Sequence, residues 1–324
     1  MKIAIIGAKN FDSLEFHIKD ELIHQGHQVQ IFDYKQNFSR KVDYGLILIS
    51  ERYEKKLNIK LLERIVTYKP DLVIGVYKHI HPLVVKGVRE KGIKIIHINP
   101  DQLTTLRNQQ IFVEPYDAYF TKDPYMLNFM KSNIGLNVFQ YQEAFNPRFH
   151  KKVEGGPLLE EEVNIDVLCF GTLYPYRNRM LKLLKEEGVK IKLFGRKAKY
   201  FDPILESDFL GKGVYGAEKA KFLNGSKIVF NNFHYAEVES VNNKFFEING
   251  CGAFQICDYK PILNQLLPFD PKQVSFSNIN EANALIKYYL NKPEKRVEIR
   301  DIIHDHFLEN YTYKNMLNYI LSNI

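Results

Sequence analysis

The chain has 324 residues, 45% hydrophobic and 26% charged, which is enough for two domains of ordinary size and excludes a disordered or fibrous chain. No stretch approaches the roughly 20 apolar residues of a membrane span, and the apolar run in MKIAIIGAKN is too early and too short for a secretory signal. The net charge of +7 is dispersed in small groups such as Lys55-Lys56, Arg196-Lys197 and Lys295-Arg296, with acids interleaved; no nucleic-acid partner is expected, whereas an anionic small substrate or peripheral contact with an anionic membrane surface suits the balance.

In chain order, Lys2 to Ile6 reads as a strand ending at Gly7, followed by a helical pattern from about Ser13 to Gln25 and a strand from Gln28 to Phe32. Tyr44 to Ser50 is a continuous apolar run, the pattern of a buried parallel strand. A helix over Leu57 to Tyr68 stops before Pro70; a strand over Asp71 to Val76, a helix over His81 to Lys91 and a strand over Ile93 to Ile98 follow. Further strands are expected at Tyr116 to Thr121 and Asn137 to Tyr141, with a helix from Pro124 to Ile134 between them. The stretch 151–164, with Gly155-Gly156-Pro157 and an acidic run, has the composition of an interdomain linker.

The alternation then restarts. Ile165 to Phe170 is a strand ending in Gly171-Thr172, Arg179 to Glu187 a helix, and Val189 to Phe194 a strand ending in Gly195-Arg196. Gly216 to Asn224 is helical and Lys227 to Asn231 a strand, with further strands at Phe254 to Cys257 and Gln273 to Phe276. Helices over Glu281 to Leu290, Lys295 to Phe307 and Lys314 to Leu321 close the chain. The expectation is α/β: two Rossmann-like, doubly wound domains facing a cleft, at 1–150 and 165–310, with the terminal helix of 311–324 packing back on the first domain. A single glycine after the first strand, without G-x-G-x-x-G, gives no support to a dinucleotide cofactor there. Cys169, Cys251 and Cys257 are too few and too scattered for a disulfide framework or a metal cluster, so buried thiols and a cytoplasmic location are expected.

The chemistry concentrates in YAEVESVNNKFFEINGCGAFQICD, Tyr235 to Asp258. Glu239 and Glu247 are eight positions apart, with Asn242 and Lys244 between them, and Cys251-Gly252-Ala253 turns a short helix into a strand. A carboxylate on such a helix can accept from two neighbouring sugar hydroxyls, while the helix N-terminus favours an anion such as a diphosphate. Helix–turn–strand segments with a glutamate and a glycine are common, so the spacing alone does not decide the matter.

Taken together with FGTLYPYRNRML, SKIVFNNFH, KYYLNKPEKR and ENYTYKNML in the same order, the second half resembles the glycosyltransferases of the GT-B fold. The branch it looks like is the CgeB-like (spore maturation protein) one, related to group 1 transferases; YDAYFTKDPYMLNFMKSNIGLNVFQYQEAFNP of the first half agrees more loosely. The resemblance implies a nucleotide-diphosphate sugar donor on the second domain, UDP- and GDP-sugars foremost, an acceptor hydroxyl on a glycan, lipid or protein held mainly by the first domain, and no required cofactor or metal. It implies that Glu247 grips the donor ribose, that the backbone at Gly252-Ala253 and the helix start near Asn242 approach the diphosphate, and that Arg177, rather than Arg179, neutralises the leaving group from the Gly171-Thr172 loop. Lys244 stands where the family commonly has arginine, which replaces a bidentate clamp by a point charge. Glu239 would be the first carboxylate of the retaining-transferase pair, with Glu237 two positions away.

Gly195-Arg196 could border the nucleobase, where an ordinary strand-end turn is the plainer account; Tyr215 could stack on it, where a core tyrosine is plainer. His234 follows a strand end, as ligand contacts often do. In the first domain His97, Asn99 and Asp101 lie at the carboxyl end of a strand; Asp101 is a candidate general base toward the acceptor hydroxyl and His97 and Asn99 candidate acceptor ligands, against a capping role for the aspartate. His79 and His81 have a metal-compatible spacing but no third ligand. Glycosyl transfer is the leading expectation; a nucleotide-sugar epimerase or hydrolase, or a non-catalytic sugar-binding module on the same fold, are the alternatives.

Overall fold

The computed structural model describes residues 1–33, 40–77, 80–102, 115–153, 156–211 and 213–324. His79 and part of the 151–164 stretch, residues 154–155, lie outside them. The chain divides into two compact units, Met1–Gln142 with Tyr313–Ile324, and Glu143–Thr312.

The first unit runs β1 (Lys2–Ile6), α1 (Leu14–His24), β2 (Gln28–Phe32), α2 (Arg40–Ile49), α3 (Glu51–Tyr68), β3 (Leu72–Val76), α4 (Pro82–Glu90), β4 (Lys94–Asn99), β5 (Ala118–Thr121), α5 (Pro124–Asn128) and β6 (Val138–Gln140). Its six strands are all parallel, in the order β2-β1-β3-β4-β5-β6. The sheet is buried on both faces where β3 reads Leu-Val-Ile-Gly-Val, every residue of it buried, which is why these strands are continuous apolar runs rather than alternating ones. Polar caps place the helices: Ser13 accepts from the Phe16 amide at the start of α1, and Asp123 from the Tyr125 and Met126 amides ahead of Pro124.

The expected strand over Tyr44 to Ser50 is instead the end of helix α2, with Ser50 capping α3. Leu48 and Ile49 are not core residues: they are 52% and 80% exposed. An apolar run of this length fits a buried strand and a helix equally well, and only tertiary burial separates them.

The second unit runs α6 (Gly156–Val163), β7 (Ile165–Leu173), α7 (Pro175–Glu186), β8 (Ile191–Lys197), β9 (Phe209–Gly211), α8 (Gly216–Gly225), β10 (Ser226–Asn231), α9 (Asn243–Gly250), β11 (Gln255–Asp258), α10 (Leu263–Leu266), β12 (Ser275–Phe276), α11 (Ile279–Leu290) and α12 (Pro293–Asn310). Its parallel sheet is ordered β12-β11-β10-β7-β8-β9. The chain winds outward from β7 through β8 to β9, then crosses back to β10 and winds the other way. The strand order therefore reverses between β7 and β10, whose carboxyl ends form the crevice where open α/β sheets take ligands. The second unit begins before the stretch expected as a linker, which carries α6, and Phe145 pairs with Thr312 where the chain enters and leaves the unit. The closing helix α13 (Tyr313–Ser322) belongs to the first unit, against α1.

Candidate active site

Beside the crevice between β7 and β10, at the end of β7, the neighbouring strand β8 approaches so closely that only glycine fits. Gly171 (φ +104°) and Gly195 (φ +136°) face each other in register, and a Cβ on Gly195 would fall 1.9 Å from the Gly171 carbonyl oxygen. Both backbones use the left-handed range that a side chain disfavours. This contact accounts for Gly195 without a ligand, and Arg196 beside it points into solvent.

Arg177, on the first turn of α7 after Pro175, reaches back across the crevice. Its Nη1 donates to the Thr172 carbonyl at 2.7 Å, its Nη2 to the Asn232 carbonyl at 2.7 Å, and its Nε to Asn232 Oδ1 at 2.8 Å. It thus ties the loop after β7 to the loop after β10. Arg179 is exposed, toward Asp202. Lys244, from the start of α9, comes to the same place: its Nζ donates to the Phe170 carbonyl at 3.0 Å, and an ideal Cβ on Gly171 would sit 2.9 Å from Nζ and 3.6 Å from Arg177 Nη1. Loss of hydration and the neighbouring Arg177 guanidinium push the Lys244 ammonium down to about 7. Two cations therefore meet at the end of β7 over carbonyl and amide oxygens, and no carboxylate among the described residues forms an ion pair with either. In the first unit the corresponding loop is filled from within: the Ala8 amide donates to Glu15 Oε1 at 2.8 Å, and the carboxylate presses on Gly7.

Helix α9 is fixed by its apolar face. Phe245 and Phe246 are buried and meet Phe307 of α12 at ring-centroid distances of 5.6 and 5.8 Å; full burial of one such ring contributes roughly 1.5–3 kcal/mol. Asn242 is the N-cap, its Oδ1 accepting from the Phe245 amide at 3.0 Å, and it exchanges amide hydrogen bonds with Asn231. Its side chain holds the helix rather than presenting itself to a ligand. One turn further in, Glu247 is buried, with Oε2 3.1 Å from Lys219 Nζ and Oε1 2.7 Å from Asn243 Nδ2.

The expectation that Gly252 and Ala253 turn their backbone toward a diphosphate meets a different geometry. The Gly252 amide donates to Asn249 O at 2.9 Å and the Ala253 amide to Ile248 O at 3.1 Å, with Gly252 at φ +68°. This is a Schellman cap: both amides are committed to ending the helix. The corner also lies at the far end of an eight-residue helix from Asn242, roughly 12 Å away at 1.5 Å per residue.

Glu239 is partly exposed on the loop before α9, whereas Glu237 is buried and accepts from Ser240 Oγ at 2.6 Å. Lys260 Nζ pins that loop through the Glu237 and Val238 carbonyls. His234 accepts from the Ala236 amide at 3.1 Å and packs edge-on to Tyr174, and Tyr215 is exposed rather than a core residue. On the first unit, His97 is wholly buried within β4 against Tyr116, Asn99 donates to the Asp101 carbonyl at 2.6 Å, and Asp101 is partly exposed. His81 accepts from the Leu83 amide as a helix cap. Four residues that the sequence did not single out belong to the site: Asn232, Asn243, Lys219 and Asp258. Burial pushes Asp258, at the end of β11, up to about 6, against the Phe233 amide and the Lys260 and Arg177 charges. Asn243 alone carries a local signal, four residues before Glu247 on one helix face.

Residues 177–322 match the family model described as glycosyl transferase-like. The second half is similar to glycosyl transferase-like domains, and the two parallel α/β sheets have the GT-B fold. The spore protein CgeB of Bacillus subtilis strain 168 is 24% identical over 233 residues, 60% of this chain and 70% of its own. Among solved structures, sucrose-phosphate synthase from Thermosynechococcus elongatus superposes with a TM-score of 0.70 at 12% identity, over 99% of this chain and 97% of that one. Anabaena HepE, solved with UDP and glucose, gives a TM-score of 0.70 at 13% identity over the whole of both chains. The glycosyl transferase-like match begins at Arg177, so the residue spanning the crevice is the first of the matched segment.

Proposed function

We propose that the protein transfers a sugar from a nucleoside-diphosphate sugar to an acceptor hydroxyl, with the donor held on the second unit. The observation that carries this reading is the Arg177–Lys244 pair: two adjacent cations without a carboxylate ion-pair partner among the described residues, at the switch point of a doubly wound sheet. A diphosphate supplies the missing charge. In the reaction the bond from the sugar C1 to the phosphate oxygen breaks, the acceptor oxygen bonds to C1, and the acceptor proton passes to a base. The departing nucleoside diphosphate gains negative charge that Arg177 and Lys244 stabilise from fixed positions. Glu247, one turn along α9, is proposed to accept the ribose hydroxyls.

The HepE complex with UDP and glucose makes UDP the proposed nucleotide and a hexose the proposed sugar. For the donor sugar, Glu239 is proposed over Glu237, because Ser240 and burial occupy Glu237. On the first unit the proposed acceptor-side groups are Asp101 as base and Asn99; His97 acts only by shaping β4, since it is sealed within the sheet. The acceptor is proposed to be a glycan or another hydroxyl compound, and the site to lie in the cytoplasm, where nucleotide sugars are made.

Thermal melting against a panel of nucleoside diphosphates and their sugars, followed by release of the diphosphate in the presence of a mixed acceptor pool, tests the proposal. A ligand at 100 times its Kd raises stability by about 2.7 kcal/mol. A protein whose melting temperature no nucleoside diphosphate moves would contradict it.

A further inference from the structure

Glu247 is held from three separate parts of the second unit. Lys219 on α8 donates to its Oε2 at 3.1 Å, Asn243 at the start of α9 donates to its Oε1 at 2.7 Å, and His150, near the unit's entry, brings Nε2 to 3.9 Å from Oε1. Lys219, His150 and Glu247 are all buried, at 4%, 1% and 6% exposure. The His150 ring is oriented by the Asn146 amide, which donates to Nδ1 at 3.1 Å. His150 Nε2 lies 3.3 Å from Lys219 Nζ.

A lysine at this depth is not what packing alone selects: an apolar side chain of similar volume would fill the space without the loss of hydration. Its charge has a use if the carboxylate must stay ionised in a place where burial favours the neutral acid. An ionised carboxylate only accepts hydrogen bonds, whereas the acid turns one oxygen into a donor. A ribose presents two adjacent hydroxyls, both of which can donate. Lys219 on Oε2 and Asn243 on Oε1 hold the carboxylate in a fixed orientation, and a carboxylate oxygen can accept more than one hydrogen bond.

We propose that Lys219 is a positioning residue for nucleoside recognition, its ammonium keeping Glu247 ionised and oriented to accept both hydroxyls of a ribose cis-diol. This rests on the reading of Glu247 given above. The reaction itself does not pass through Lys219; its effect is to make the site tell a ribonucleotide from a deoxyribonucleotide.

Calorimetric binding of UDP and of 2′-deoxy-UDP to the full chain and to Lys219→Met, Lys219→Gln and Lys219→Arg tests it. The wild type is expected to prefer UDP by about 10-fold or more, the range of one to two hydrogen bonds to a charged group. Lys219→Arg keeps that preference, while Lys219→Met and Lys219→Gln reduce it to about 3-fold or less. Glutamine retains a donor without the charge, so it decides the matter if the methionine variant does not fold. A folded methionine or glutamine variant that keeps the wild-type preference overturns the proposal, because a merely structural lysine would alter stability and not diol discrimination. Loss of the preference in all three variants alike would overturn the assignment to charge. A wild type indifferent to the 2′-hydroxyl would sink the ribose reading of Glu247 itself, and this inference with it.

Discussion

An ammonium beside a guanidinium, partly removed from water, weakens the empty protein and gains a partner only when an anion arrives. Lys244 is in that position. Its pKa is lowered from 10.5 to about 7, so between those values the unfolded chain binds the extra proton and the stability of the empty protein rises with pH. Below about 7 the folded chain carries the charge at its full cost. Lys244→Met should therefore melt higher than the wild type at pH 6.5, by roughly 2–4 °C for each kcal/mol recovered. The same variant should bind UDP-glucose about 10-fold or more weakly. A variant that loses stability and keeps affinity would put Lys244 in the scaffold. A bound diphosphate raises the same pKa again, so UDP-glucose binding just above pH 7 should take up a proton and weaken as the pH climbs. Calorimetry in two buffers of different ionisation enthalpy reads that uptake directly, since the diphosphate diester has no group titrating there. Arg177 stood out in the sequence only through the resemblance of its segment to the family, and Lys244 and Glu247 through that resemblance and their shared short helix. Lys219 did not: it reaches Glu247 across 28 residues of chain, and no periodicity encodes a long-range pair.

At the level of elements, glycines whose sequence setting looks alike have different work. Gly195→Ala places a methyl against the Gly171 carbonyl at a backbone angle of +136°, and should destabilise the second unit by about 2 kcal/mol or more. Gly252→Ala strains only a helix cap at φ +68°, for about 1–2 kcal/mol, and should leave UDP affinity within about 2-fold of the wild type if its amides serve the cap and not the ligand. A large loss of affinity in a folded Gly252→Ala protein would restore the corner to the site. The phosphate contact expected there came from the resemblance of the segment to the family. The hydrogen bonds of Gly252 and Ala253, which no residue pattern displays, commit both amides to the helix cap. Helix α2 shows the same limit: an apolar run at 44–50 looks like a strand until burial is known, and Leu48 and Ile49 are at the surface. The alternating strands and helices elsewhere were readable because both sheets are buried on their two faces.

For the whole molecule, the two units were legible as a strand–helix pattern that starts twice, while the passage from one to the other was not, since 151–164 looks like a linker by composition yet holds α6. The chain returns to the first unit at Tyr313, where Tyr313, Leu317 and Ile320 are buried. Truncation after Thr312 should destabilise the first unit and leave nucleotide binding by the second within about 3-fold of the full chain, if the donor is held on the second unit alone; two-transition melting with and without UDP checks this. The most direct measurement is a crystal of the full chain soaked with UDP. Diphosphate density is expected at the end of β7, within hydrogen-bonding distance of Lys244 and the Arg177 guanidinium, with the ribose against Glu247. Diphosphate density at any other place, the loop after β1 included, would contradict the proposed site.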